Sequence, residues 1–303
     1  MAHPAPGQKT VLVTGCTPGG IGYALCIEYQ KRGLFVIPTA RKPDVLHDLA
    51  AKGMRTVVLD VTKADSIAAA HKEVAAITGG KLDILVNNAG RTHTHPATDL
   101  DLDDVRMTFE TNVFSVMAMC KAFADLLIAS KGLIINTSSV SSVAPYCFGA
   151  AYTATKAAVA AYSRVLRIEM RPFGVRVMVT MTGTVISNNA THNNRYLPPD
   201  SLYQRVKDLF EFRVTFSQTQ ASMPAEDYAR QLVTKSLKPE VNLFWRNWFG
   251  RPDWFWYGGM AKLLWFGHSF LGEAYVDWAS WPTFRLAKLQ RMVEEDDKQK
   301  KLA

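Results

Sequence analysis

Short apolar runs alternate with amphipathic segments along residues 9–240. Six runs, short and often β-branched, predict strands buried on both faces, at 10–14, 34–39, 56–59, 84–86, 133–136 and 175–180. The segments between them predict helices at 21–32, 64–77, 102–129 and 152–171. This alternation predicts an α/β fold, a Rossmann-like doubly wound parallel sheet that binds ligands at the carboxyl ends of its strands.

Residues 184–223 interrupt this alternation. An amphipathic piece lies at about 201–212, after a stretch rich in asparagine and proline: Asn188, Asn189, Asn193, Asn194, Pro198 and Pro199. An insertion of this length in a compact domain is typical of a functional lid or a disordered loop, and we predict a substrate lid. A helix is expected to resume with Pro224 as its first residue.

The composition changes at residue 241. All seven tryptophans lie between Trp245 and Trp281, and a charged tail ends the chain. We therefore divide the chain into a catalytic domain at 9–240 and a Trp-rich, helical extension at 241–303. Tryptophan and tyrosine favour membrane interfaces, so 245–281 could lie on a bilayer as a peripheral contact. Alternatively, these aromatic residues roof a substrate cavity or a dimer interface; both interpretations imply a bulky apolar substrate.

Charge and composition exclude several classes of protein. The formal net charge of +8 favours anionic partners. Three arginines recur at helical spacing, Arg164, Arg167 and Arg171. They predict a stripe on one helix face that is solvated or faces another subunit. Because the sequence has no base-stacking motifs, we expect no nucleic-acid binding. The N-terminus lacks the apolar segment of a secretory signal, and no apolar run is long enough to span a membrane.

The four cysteines, Cys16, Cys26, Cys120 and Cys147, form no CxxC pair and are expected to be reduced thiols.

His93 and His95 lie where pocket residues are expected, and with no third ligand in view we predict no metal site. The run Tyr146, Cys147, Phe148 and Gly149 could shape a pocket or pack in the core.

A glycine-rich turn follows the first predicted strand. In TVLVTGCTPGGIG, Gly15, Gly20 and Gly22 allow a tight turn and let backbone N–H groups approach a pyrophosphate, with Thr17 and Ile21 beside them. The helix that follows directs its positive N-terminal end at the same phosphates. This strand, turn and helix predict a dinucleotide site.

The end of the second strand carries Arg41 and Lys42. An acidic residue there would bind the ribose hydroxyls of NAD, whereas a guanidinium pairs with a 2′-phosphate, so we predict NADP(H) as the cofactor. A solvated surface pair is the alternative. Asp60, after the third strand, could bond the adenine amino group or face solvent in a turn.

Tyr152 and Lys156 lie four residues apart and share one face of a predicted helix. A nearby ammonium stabilises a phenolate and lowers the pKa of the tyrosine, which would make a usable acid/base. Ser139 ends a buried strand thirteen residues earlier, and NNAG at 87–90 ends another. Asn112 lies in the long helix predicted at 102–129.

In this order the motifs resemble the short-chain dehydrogenase/reductase family over about residues 9–240. The forms VTGCTPGGIG and TGTVISN are similar to those of fungal acyl-dihydroxyacetone-phosphate reductases and steroid-dehydrogenase-like enzymes. The resemblance implies that Tyr152 exchanges a proton with the substrate oxygen and Ser139 hydrogen-bonds that oxygen. Lys156 would bind the nicotinamide ribose, and Asn112 would hold a relay water. It also implies cofactor contacts from Asn88, Ala89, Gly90, Tyr152, Lys156, Gly183, Val185 and Ser187.

The expected activity is hydride transfer between NADP(H) and a ketone or secondary alcohol, in the direction of reduction. A lipid-like substrate such as an acylated keto-phosphate is expected; a polyketide or terpenoid ketone of a specialised pathway is the alternative. A scaffold that senses NADP(H) without turnover is disfavoured by the intact catalytic set. We also expect a homo-oligomer, at the cytoplasmic face and peripheral on endoplasmic reticulum or lipid droplet.

Overall fold

The computed structural model describes residues 3–187, 196–242 and 244–302. Seven strands form one parallel sheet: β1 Thr10–Thr14, β2 Phe35–Ala40, β3 Val57–Val58, β4 Ile84–Asn87, β5 Leu133–Ser139, β6 Arg176–Thr182 and β7 Trp254–Tyr257. Their order across the sheet is β3-β2-β1-β4-β5-β6-β7. The Rossmann-like sheet and its six expected strands are confirmed; β7 was not predicted.

Three predicted helices are confirmed within two residues, as α1 Ile21–Lys31, α3 Ala64–Thr78 and α7 Ala150–Met170. The single helix expected at 102–129 is wrong. It is divided into α4 Leu102–Phe109, a π-helical turn at Glu110–Phe114, α5 Ser115–Ala122 and α6 Ala124–Ser130. The other α-helices of the described residues are α2 His47–Ala51, α8 Lys207–Thr219, α9 Ala225–Ser236, α10 Arg246–Phe249, α11 Ala261–Phe266, α12 Glu273–Thr283 and α13 Ala287–Leu302.

Pro224 precedes α9 instead of opening it, because its ψ of 145° is extended. In the predicted lid, the amphipathic piece expected at about 201–212 forms α8, which begins later and runs further along the chain. Asn188, Asn189, Asn193 and Asn194 lie outside the described residues.

Helices cover both faces of the sheet, which explains why the strands read as continuous apolar runs. Successive side chains of a strand point to opposite faces. Val11 and Val13 of β1 pack in the core formed with α1 and α9, whereas Leu12 packs in the core formed with α3, α5 and α7. The side chains of Val11, Leu12 and Val13 are all fully buried.

The order of the strands reverses between β1 and β4. The chain builds β2 and β3 on one side of β1 and then returns to place β4 on the other side. The helices connected to these two strands diverge there, which leaves a crevice at their carboxyl ends. This is where the structure positions its principal cavity.

The extension contributes the edge strand β7, which pairs in parallel with β6 from Val179 opposite Trp254 to Thr182 opposite Tyr257. The carboxylate of Asp253, just before β7, accepts from Arg176 at 2.5 Å and from Arg246 at 3.2 Å. The extension is therefore joined to the catalytic sheet by main-chain pairing and by a half-buried ion cluster.

Arg167 also belongs to this junction, which corrects the expected arginine stripe. Its Nε donates to the carbonyl of Val177 at 2.8 Å, and its guanidinium lies 5.3 Å from the centre of a Trp254 ring. Arg164 and Arg171 are exposed as expected.

Among the described residues, no single helix is long and apolar enough to cross a membrane. The helices Leu102–Ala122 and Ala124–Ser130, bent by 55°, together pass that test of length and composition. Their side chains Val116, Met119 and Leu127 are buried in the core against the sheet, as in core helices of globular domains. All four cysteines are free thiols, as predicted.

Candidate active site

The glycine turn after β1 has the backbone geometry that only glycine accommodates easily. Gly15 has a φ of +75°, and a Cβ there would lie 2.9 Å from the Cα of Ala89. A Cβ on Gly22 would lie 2.5 Å from the Gly15 carbonyl oxygen. No side chain caps α1 at Gly20, so the N–H groups of its first turn are left for a ligand.

The NNAG segment ties the end of β4 to the end of β1. The side chain of Asn88 donates to the carbonyl of Thr14 at 2.9 Å. The hydroxyl of Thr14 in turn accepts from the backbone N–H groups of Asn88, at 3.0 Å, and Ala89, at 2.9 Å. These bonds hold the crevice open at the switch point, where Asn88, Ala89 and Gly90 line the cavity.

Arg41, Lys42 and Asp60 meet at the adenosine end of the same cavity. Asp60 Oδ1 accepts from the N–H of Thr62 at 3.0 Å and from its hydroxyl at 2.7 Å. Burial alone would raise the pKa of Asp60, but the bonds from Thr62 and the charge of Arg41 lower it. Within the described part of the chain Arg41 forms no ion pair, so its guanidinium is available to a phosphate.

Ser139, Tyr152 and Lys156 converge on one wall of the cavity. Ser139 ends β5, Tyr152 lies in the first turn of α7, and the two side chains share a hydrogen bond. The ammonium of Lys156 donates to the carbonyl of Thr137 at 2.8 Å and lies 5.7 Å from the centre of the Tyr152 ring. The sequence predicted this convergence.

Asn112 is held differently from the other three. It lies on the π-helical turn, where its Nδ2 donates to the carbonyl of Arg91 at 2.9 Å and to Thr155 Oγ1 at 3.1 Å. Its Oδ1 accepts from the N–H of Arg91 at 2.8 Å. Both side-chain atoms are thus engaged, and Asn112 braces the loop after β4 against α7 without lining the cavity. Its role in holding a relay water stays a prediction.

One cavity of about 930 Å³ joins these groups. Of the predicted cofactor residues, all except Gly22 line it: Gly15, Thr17, Gly20, Ile21, Arg41, Asp60, Asn88, Ala89, Gly90, Tyr152, Lys156, Gly183, Val185 and Ser187. Gly22 lies behind the turn, against Gly15. Ser187, in the segment after β6, donates its N–H to the side-chain oxygen of Gln218 on α8 at 3.0 Å. This hydrogen bond connects that segment to α8.

The remaining walls of the cavity were not predicted residue by residue. Helix α8, in the segment predicted to be a lid, contributes Arg213, Phe216, Ser217 and Gln218. The extension contributes a mostly apolar roof from α11, α12 and the adjoining turns: Met260, Leu263, Leu264, Gly267, Tyr275, Val276, Ala279, Ser280, Thr283 and Phe284. Of the two interpretations of the extension, the geometry therefore supports the roof.

No tryptophan whose side chain the structure describes lines this roof. Trp245, Trp265, Trp278 and Trp281 are exposed on the outer surface of the extension. The roof consists mostly of aliphatic and small residues, together with Tyr275 and Phe284, and these carried no distinct signal in the sequence. Of the run before the catalytic tyrosine, Tyr146 lines the cavity, whereas Phe148 packs in a small core cluster.

A family model described as short chain dehydrogenase matches residues 9–197. The chain belongs to the short-chain dehydrogenase family. It is 38% identical over 286 residues to a short-chain dehydrogenase of Hypocrea virens, covering 93% of this chain and 95% of the relative. It is 42% identical over 207 residues to the NADPH-dependent 1-acyldihydroxyacetone phosphate reductase of Schizosaccharomyces pombe, covering 67% of this chain and 70% of that protein.

The crystal structure of a short-chain dehydrogenase from Streptomyces avermitilis matches with a TM-score of 0.75 at 25% identity. The match covers 93% of this chain and 99% of that one, so it includes the extension. The family resemblance inferred from the motifs is confirmed, and the protein is an oxidoreductase.

The proton affinities in this short-chain dehydrogenase differ from the sequence expectation. Burial raises the pKa of Tyr152 to about 12, although the bond with Ser139 and the charge of Arg213 lower it. The ammonium of Lys156 is directed at the carbonyl of Thr137, and its lowering of the Tyr152 pKa stays a prediction. Tyr152 is therefore a neutral phenol at pH 7, which is the protonation state that donates a proton to a carbonyl oxygen.

Lys156 titrates near the physiological range, since burial lowers its pKa to about 8. Its ammonium is present below that pH and is lost above it. We expect kcat/KM for ketone reduction, which takes up a proton, to fall as the pH rises through about 8. In Lys156→Arg the charge persists and the fall near this pH should disappear, even though the variant is slower.

A pH–rate profile of NADPH oxidation from about pH 6 to about pH 10 checks this result. Lys72→Arg, an exposed exchange on α3, should reproduce the wild-type profile. A wild-type profile that stays flat across this range would contradict the role of Lys156.

His93, His95 and Asp104 form a group that the sequence did not reveal, with ligand atoms within 4.8 Å of one another. A third ligand is thus present, contrary to expectation. However, the guanidinium of Arg91 already bonds the Asp104 carboxylate at 2.5 Å, and burial lowers the pKa of His93. Because Asp104 is already paired with a cation, we assign no metal to this group.

Proposed function

We propose that this short-chain dehydrogenase uses NADPH to reduce the ketone of a bulky, lipid-like molecule. One observation carries the proposal: a single cavity connects Arg41 and the glycine turn with the Ser139–Tyr152 pair and continues beneath an apolar roof. Such a shape accommodates a dinucleotide in one part and a large apolar substrate in the other.

The residues present fit NADP(H). The start of α1 is uncapped, and the tight turn at Gly15 and Gly22 brings its main-chain N–H groups to the cavity, where they can bind a pyrophosphate. Arg41, which has no ion pair in the described part of the chain, would bind the 2′-phosphate, and Lys156 would bind the nicotinamide ribose. Bound NADPH supplies the hydride. A relative that is named NADPH-dependent supports this assignment.

The protein's own residues manage the proton. A ketone oxygen between the hydroxyls of Ser139 and Tyr152 accepts a hydrogen bond from each, and Tyr152 then donates its proton to that oxygen. Lys156, with its pKa of about 8, is the local proton source that restores the phenol. The roof excludes water from this step.

The apolar roof indicates the kind of substrate. Leu264, Val276 and Phe284 line the part of the cavity that the cofactor residues leave open. The Schizosaccharomyces pombe relative is named a 1-acyldihydroxyacetone phosphate reductase, which supports an acylated keto-phosphate as substrate. A polyketide or terpenoid ketone is the alternative that the experiment below distinguishes.

An untargeted assay tests the proposal. The purified protein is incubated with NADPH and a lipid or metabolite extract, and mass spectrometry identifies molecules that gain two hydrogen atoms. We expect an acyl ketone to be converted by the wild type and not by Tyr152→Phe. If NADPH binds but neither the extract nor a broad ketone panel is reduced, the scaffold alternative replaces the enzyme.

Three further expectations stay predictions: a homo-oligomer, a peripheral membrane contact through 245–281, and a location at the endoplasmic reticulum or lipid droplets. The exposed aromatic side chains of the extension, among them Trp278 at 69% exposure, support the membrane contact.

A further inference from the structure

Arg213 is a buried cation in the wall of the substrate cavity. It lies on α8 with only 4% of its surface exposed. Its Nε donates to the carbonyl of Cys147 at 2.7 Å, and its guanidinium carbon lies 3.2 Å from the centre of the Tyr146 ring. A guanidinium carries five N–H donors. No acceptor among the described residues bonds the terminal nitrogens, which leaves four of the five for another partner.

Arg213 has no acidic partner. Within the described ranges no carboxylate forms an ion pair with it, and residues 1–2, 188–195, 243 and 303 contain no aspartate or glutamate. The titratable groups that act most strongly on Arg213 are Tyr146, Cys147 and Tyr152, and none of them is a carboxylate. By contrast, the half-buried Arg176 and Arg246 share the carboxylate of Asp253.

A second positive group lies beside this guanidinium. A Cβ on Gly149 would lie 2.9 Å from Nη2 of Arg213, so the guanidinium contacts the residue at the N-terminus of α7. No side chain caps this 21-residue helix, and no acidic residue lies in its first turn. The positive end of the helix and the guanidinium therefore face each other without a negative charge between them.

Burying an unpaired cation is costly, and stacking on Tyr146 offsets only part of that cost. An oxyanion would satisfy both positive groups, because a guanidinium fork binds phosphate or carboxylate through paired N–H donors. The terminal nitrogens lie in the wall of the cavity that holds Tyr152, so the ligand that reaches the catalytic phenol also reaches Arg213.

We propose that Arg213 binds the anionic head group, a phosphate or a carboxylate, of the substrate that this site reduces. The inference rests on the proposed ketone reduction and defines its substrate class. The head group lies between Arg213 and the start of α7, the ketone lies at Ser139 and Tyr152, and the apolar chain lies beneath the roof formed by α11 and α12.

Matched substrates test this proposal. 1-Palmitoyl-dihydroxyacetone phosphate and 1-palmitoyl-dihydroxyacetone differ only in the phosphate, and kcat/KM is measured for both. We expect the wild type to prefer the phosphate by at least about tenfold, mainly through KM, and Arg213→Gln to lose this preference. Arg213→Lys, which keeps the charge and loses the fork, should retain part of it. Arg230→Gln, an exposed exchange on α9, should keep the wild-type preference.

A binding experiment distinguishes the source of the anion. Calorimetric titration of the NADP⁺-loaded protein with hexadecyl phosphate, laurate and methyl laurate should show binding of one or both anions and much weaker binding of the ester. Tight phosphate binding with weak laurate binding indicates a phosphate head, and the reverse indicates a carboxylate. Arg213→Lys serves here if Arg213→Gln does not fold, as judged by its melting temperature and NADPH affinity.

The two proposals fail separately. Equal reduction of the charged and neutral ketones by the wild type, or an unchanged preference in folded Arg213→Gln, overturns the anion site and leaves ketone reduction intact. If no ketone is reduced, the proposed function fails, and the titration still decides whether Arg213 binds an anion.

Discussion

Replacing Tyr152 with phenylalanine should lower kcat for ketone reduction by roughly 10²–10⁴-fold, the range in which a positioned acid contributes to catalysis. The phenol shares a hydrogen bond with Ser139, and burial keeps it protonated with a pKa of about 12, so it is the proton donor of the proposed reduction. Phenylalanine keeps the ring and its packing. The affinity for NADPH should therefore change little.

Steady-state NADPH oxidation and a fluorescence titration of NADPH measure the two quantities separately. Tyr162→Phe is the matched control, because Tyr162 lies on the same helix but packs in the core away from the cavity. If Tyr152→Phe keeps more than about a tenth of the wild-type kcat, another group donates the proton.

Replacing Arg41 with aspartate should reverse the cofactor preference. A hydrogen bond to a charged group contributes about 1.5–3 kcal/mol, so its loss should weaken NADPH binding by about 10- to 100-fold. Repulsion between the new carboxylate and the 2′-phosphate adds to this loss. NADH carries no such phosphate, and its ribose hydroxyls can donate to the aspartate, so its affinity should hold or improve.

Dissociation constants of NADPH and NADH for the wild type and the variant give the ratio directly. Arg164→Asp, an exposed arginine on α7, makes the same change in net charge and should leave the ratio unaltered. Equal weakening of both cofactors by Arg41→Asp would show that Arg41 supports the loop and does not select the phosphate.

The neutral state of Tyr152 bears on the direction of the reaction. A phenol with a pKa of about 12 is present almost entirely in its acid form at pH 7, and reduction of a ketone requires that form. Oxidation of an alcohol requires the phenolate. At pH 7 Tyr152 is therefore already in the form that the proposed reduction requires.

Much of the site was predictable because short sequence patterns identify it. Gly15 and Gly22 were identified because a strand, a tight turn and a helix need glycine wherever the main chain comes this close to itself. Tyr152 and Lys156 were identified because four residues of a helix place two side chains on one face. The six core strands were found because burial on both faces requires uninterrupted apolar runs.

The sequence by itself thus predicted six strands of the sheet, the glycine turn, the NADP(H) end of the site and the set Ser139, Tyr152 and Lys156, because each is recognised from a short local pattern. Only the tertiary structure decided that Trp254–Tyr257 is a strand, since its partner β6 and Arg176, which binds Asp253, are distant in the chain. It alone placed Arg213 without an acid and α12 above the catalytic residues. Burial, and with it the pKa of Tyr152, depends on every element packed around a residue, and no local pattern records that environment.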